Sequence, residues 1–160
     1  MHLALAQELT HPFSLAFAWG NAGTLHRYRR EESVVQTYIE RVMALAAEHG
    51  FVTYEALGLI LQGWALVKRE RWEEGIARIH QGEAATRALG SGLGRTFRLA
   101  ILAEVYEKAG WIDEGLAMLA EALAVVNKTG ERCWEAELYR LKGELLLMQE
   151  AKRQKAKSKS

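Results

Sequence analysis

The chain has 160 residues, of which 49% are hydrophobic and 26% charged, with a formal net charge of +1, which is the composition of an ordinary folded domain. Its longest weakly charged stretch, residues 50–68, is too short and too polar to span a membrane, and residues 1–3 lack the basic start of a signal peptide. The single cysteine, Cys133, excludes an internal disulfide and fits a reducing cytoplasm, which is the location we expect.

The N-terminal part of the chain predicts a half repeat followed by a complete helical hairpin. Residues 2–10 match the second helix of a repeat, and the partner of that helix would lie upstream of Met1. Pro12 suits the first turn of the next helix, which extends to about Tyr28 and is followed by a second helix ending at His49. Because the half repeat lacks its covering helix, we expect a frayed end or a homodimer formed through it.

Two further hairpins are predicted in the middle of the chain. The first consists of helices over residues 53–69 and 73–89. In the second, Gly110 separates the two helices, because glycine enters the left-handed capping conformation without strain, and Asp113 opens the helix that follows. The helix before Gly110 carries one apolar stripe at three- and four-residue spacing, formed by Leu99, Leu102, Ala103 and Tyr106.

The C-terminal part predicts one last helix over residues 131–149 and then a basic tail over residues 151–160. The tail contains five lysine or arginine side chains and no aromatic residue, so we expect it to be disordered, the alternative being contact with phosphate or acidic lipid. Without these five cations the rest of the chain is acidic, which gives no reason to expect nucleic-acid binding.

The predicted helices repeat with a period of forty residues. Gly50, Gly90 and Gly130 are forty residues apart, and Glu73-Glu74-Gly75 returns as Asp113-Glu114-Gly115. A fixed period of this length indicates a solenoid, here all-α and built from antiparallel helix pairs. The repeat domain covers residues 1–150, with three full units at residues 11–50, 51–90 and 91–130.

The third unit resembles the tetratricopeptide repeat. The resemblance lies in the spacing of Leu102-Ala103, Tyr106, Gly110 and Glu114-Gly115-Leu116, with small residues where paired helices touch. Small residues recur at the matching positions of other units, at Gly63, Gly75 and Gly143. The period of forty exceeds the thirty-four usual for that family. The resemblance implies a right-handed superhelical solenoid.

A second resemblance covers nearly all of residues 3–148. Residues 11–18, 61–66 and 135–147 are similar to the C-terminal repeat region of large bacterial signalling ATPases of the AAA or STAND type, which often carry an adenylate/guanylate cyclase domain. This resemblance implies a sensing or scaffolding array attached to an ATPase or cyclase module. The family's catalytic parts are not in this sequence.

The residue types that carry chemistry form no recognisable constellation in the sequence. The five histidines are scattered, and none belongs to a His-Glu-x-x-His or Cys-x-x-Cys arrangement. Residues 90–95 are rich in glycine, but no lysine followed by serine or threonine completes a phosphate-binding loop. Cys133 has no neighbouring base to activate it as a nucleophile. We therefore expect neither an enzyme nor a cofactor.

The resemblance to tetratricopeptide arrays implies that the first helix of each unit lines a concave groove. An aromatic side chain flanked by cations could hold an extended peptide or a helix there. The groove residues predicted in this way are Leu57, Ile60, Trp64, Lys68, Phe97, Ala100, Glu104, Lys108, Glu137, Arg140 and Glu144.

The sequence thus predicts a protein–protein interaction module, with a protein or peptide partner in the groove. The alternative is a sensor that binds a small-molecule inducer in the same groove, with Trp64 and Phe97 stacked on the ligand.

Overall fold

A computed structural model of the chain describes residues 11–90, 92 and 94–158. Within these residues the secondary structure is entirely helical, which confirms the predicted all-α class. The half repeat predicted at residues 2–10 lies outside the described residues. The described helices are α1 (Pro12–Tyr28), α2 (Glu32–His49), α3 (Val52–Lys68), α4 (Trp72–Ala88), α5 (Arg95–Ala109), α6 (Ile112–Thr129) and α7 (Glu135–Lys157).

The forty-residue period is visible in the backbone at the turns inside the hairpins. Arg30, Glu70 and Gly110 occupy the same position of successive repeats, and all three have left-handed backbone conformations, with φ of 60°, 60° and 75°. In each turn the backbone amide of the residue after the left-handed one donates a hydrogen bond to the carbonyl oxygen five residues before that amide, with N–O distances of 3.1, 3.1 and 2.9 Å. These bonds satisfy carbonyl groups that the end of a helix leaves unpaired. The turns are too short for the two helices to run in the same direction, so each pair is a hairpin.

The chain divides into two compact units, with the division after Gly92. In the first unit, α1 packs on α2, α2 on α3 and α3 on α4, and α1 also contacts α3. In the second unit, α5 packs on α6 and α6 on α7, and α5 also contacts α7. Both units therefore use one packing pattern, in which neighbouring helices pair and first helices also touch each other.

Each unit has its own apolar core. In the first unit, Ile39, Ile60 and Ile79 are fully buried, and in the second unit Leu119, Leu138 and Leu141 are. Along α7 the buried residues Leu138, Leu141 and Leu145 recur at three- and four-residue spacing, as on one face of an amphipathic helix. None of the described helices combines the length and the apolar character needed to cross a membrane.

The predicted end of the last helix at residue 149 is wrong, and the predicted disorder of residues 151–160 needs correction over residues 151–157; residues 159 and 160 lie outside the described residues. In the structure α7 continues without a break to Lys157, so residues 151–157 are helical. Alanine, lysine, arginine and glutamine favour helix, and Lys155 and Lys157 lie in the last turn, where cations complement the helix dipole. The absence of an apolar anchor therefore did not prevent helix formation.

Candidate functional site

Four of the predicted groove residues, Leu57, Ile60, Trp64 and Lys68, lie on α3. Ile60 has no exposed surface and Trp64 is only 2% exposed, so neither presents a surface to a partner. Leu57 and Lys68 are half-buried. The prediction that Ile60 and Trp64 face a groove is therefore wrong. The prediction failed because α3 packs on three helices, α1, α2 and α4, which together bury most of the surface of α3.

The indole of Trp64 lies in a cluster of cations at the C-terminal ends of α1 and α3. The Lys68 Nζ lies 5.4 Å from the centre of the Trp64 ring, and the Arg27 guanidinium carbon lies 6.0 Å from it. Arg27 is itself buried and lies 4.3 Å from the centre of the Tyr28 ring. The ring faces attract these cations, so the predicted combination of aromatic and cation exists but serves to join helices.

A group of charged side chains lies at the turn between α1 and α2 and reaches the next hairpin. Glu31 accepts a short hydrogen bond from His26 and forms an ion pair with Arg29 at 2.8 Å. The hydrogen bond from His26 and the charge of Arg29 lower the pKa of the Glu31 carboxyl. Arg69, in the turn after α3, donates from Nε to the carboxylate of Glu32 at 2.8 Å. These contacts hold the two turns of the first unit together.

The predicted groove residues of the second unit are also divided between core and surface. Phe97 and Ala100 are buried, and the Phe97 ring packs on Trp134 with ring centres 4.9 Å apart, so their predicted exposure on a groove is wrong. The reason is that α5 is covered by both α6 and α7. Glu104 is half-buried, whereas Lys108 is exposed and pairs with Glu107 at 2.9 Å.

Arg140 and Glu144 lie on the surface of α7 in an ion-pair network. Arg140 binds both carboxylate oxygens of Glu137 at 2.7 Å and also pairs with Glu144 at 2.7 Å. The hydrogen bonds to Glu137, together with the two negative charges, raise the pKa of the Arg140 guanidinium. The network supports one helix through (i, i+3) and (i, i+4) pairs.

A surface that was not predicted runs along α7. Tyr139 is 57%, Leu146 45% and Leu147 73% exposed, and Gly143 lies between them with no atom within 4 Å of the place where a Cβ would stand. We call these four residues the Tyr139 face. Since α5 and α6 pack on the opposite side, through Leu138, Leu141 and Leu145, no described residue of this unit covers it. The forty-residue register could have revealed it, because Leu59, Gly63 and Val67, which stand two repeats before Tyr139, Gly143 and Leu147, are buried.

Each unit also has one smaller surface feature. On α1, Phe13, Phe17 and Leu25 are exposed, although the Phe13 ring also packs edge-to-face on Tyr54 with centres 5.3 Å apart. In the second unit an open cleft of about 620 Å³ lies between the N-terminus of α6 and the C-terminal part of α7. Its walls include Trp111 and Arg153, and both acidic and basic groups line it.

The residues with catalytic or metal-binding potential remain apart. Among the residues that the structure describes, no three His, Cys, Asp or Glu side chains form a group able to hold a metal ion. Cys133 is exposed, with its Sγ 3.8 Å from a carboxylate oxygen of Glu131.

Comparison with known proteins gives little guidance on family. No protein-family model matches the chain, and no solved structure matches it. An uncharacterized protein of Rhizobium meliloti (strain 1021) is 25% identical over 138 residues, an alignment that covers 86% of this chain. The alignment covers 13% of that relative, so the chain corresponds to a small part of a much longer protein.

Proposed function

We propose that the chain is a non-enzymatic interaction module, built as a right-handed, tetratricopeptide-like solenoid, that works in the cytoplasm as part of a bacterial signalling ATPase. The observation that supports this most directly is the backbone repeat at Arg30, Glu70 and Gly110, since three equal turns at a period of forty are typical of stacked hairpins. The length of the Rhizobium meliloti relative agrees with a module inside a large protein.

The module acts by holding a protein partner on its exposed apolar surfaces. A partner that binds better to one arrangement of adjacent repeats would favour that arrangement, and an attached ATPase or cyclase domain would respond to the shift. Surfaces such as the Tyr139 face suit this role, because exposed apolar side chains grouped together are typical of interaction sites. The buried residues Trp64 and Phe97 serve to stabilise the repeats.

The regulatory role is tested in the native protein. An antibody raised against residues 11–158 should detect a polypeptide far above 18.0 kDa in the native host. Excision of these residues from that polypeptide should change its ATPase rate or its signalling output. A native mass near 18 kDa, or rates unchanged by the excision, would contradict the regulatory role.

A thermal-shift screen addresses the sensor alternative. A small ligand that binds the native state raises the melting temperature by an amount that grows with the logarithm of its concentration over Kd, whereas a protein-binding module does not respond to the library. The buried positions of Trp64 and Phe97 deprive the sensor of the two aromatic rings that it needs for stacking. We therefore expect no hit that depends on these residues.

A further inference from the structure

We draw no further inference here: the strongest candidate, the open cleft of about 620 Å³ between the N-terminus of α6 and the C-terminal part of α7, is lined by Asp113 and Glu114 as well as by Lys152 and Arg153, and nothing in the structure shows which ligand these opposite charges would hold.

Discussion

Gly63 and Gly75 bring the backbones of α3 and α4 into direct contact. A Cβ at Gly63 would lie 2.4 Å from the carbonyl oxygen of Gly75, and a Cβ at Gly75 would lie 2.7 Å from the carbonyl oxygen of Gly63. Because backbone atoms on both sides block the space, a side chain at either position forces the helices apart. This crossing sets the spacing of the second hairpin.

The substitution Gly63→Ala should lower the free energy of unfolding by about 1–3 kcal/mol, since the overpacking cost exceeds the gain in helix propensity. The matched control is Gly143→Ala, at the same position two repeats later, where no atom stands within 4 Å of the new Cβ. That change should stabilise the protein by about 0.5–1 kcal/mol, because glycine is a poor helix former. Urea denaturation measures the change in the free energy of unfolding for both variants. Equal effects at the two positions would contradict the close contact in α3 and α4.

The sequence predicted the turns correctly, because they depend on local spacing. The resemblance to the tetratricopeptide repeat implied close helix contacts at Gly63 and Gly75, which the structure shows, and also at Gly143, where that prediction is wrong because no neighbouring helix among the described residues comes within 4 Å of a Cβ placed there. Gly63 and Gly75 matched small residues of the third unit, and Gly110 marked a helix end. The sequence did not identify Arg30 and Glu70 as left-handed residues, since side chains with a Cβ seldom adopt that conformation. Their position in the forty-residue register was the available signal.

The groove prediction failed at Ile60, Trp64 and Phe97 for a different reason. Periodicity places a residue on a side of its helix, but burial depends on how many neighbours that helix has. Since α3 packs on three helices, a side chain that points away from α4 is still buried. The Tyr139 face shows the reverse case, in which residues that match packing positions are exposed because the helix that would cover them is absent from the described part of the chain.

Glu31 should give the protein an acid-dependent loss of stability. Its hydrogen bond with His26 and the charge of Arg29 lower its pKa in the folded state below the usual 4.5. A lowered pKa means that the ionised carboxylate stabilises the fold at neutral pH, and that this contribution is lost as the pH falls from about 4.5 through the folded-state value. Urea unfolding at pH values between about 6 and 3 should show a shallower loss for Glu31→Gln than for the original chain. If the free energy of unfolding falls equally with pH in Glu31→Gln and in the original chain, the stabilising interaction of the Glu31 carboxylate is contradicted.

Tyr54 and Tyr106 should make the protein lose stability as the pH rises into the alkaline range. Burial raises the pKa of both phenols above 10.0, and the charge of Glu114 adds to the effect at Tyr106. The neutral phenol is therefore favoured in the folded state, and stability falls as the pH rises from about 10 through the folded-state values. Absorbance titration at alkaline pH should show late ionisation that disappears in the variant with Tyr54→Phe and Tyr106→Phe. The same variant should lose less stability above pH 10 than the original chain.

The helical extension of α7 is tested through its charges. Lys155 and Lys157 lie in the last turn, where their positive charges complement the carbonyl groups that lack a partner within the helix. Replacing both with glutamate should fray residues 151–157 and reduce the helical signal in circular dichroism, because each reversal removes about 0.3–1 kcal/mol of stabilisation and adds repulsion. Amide hydrogen exchange should become faster at these residues and stay slow around Leu141, which lies in the core. Exchange at residues 151–157 that is equally fast in both proteins would contradict the stabilising role of the two lysines.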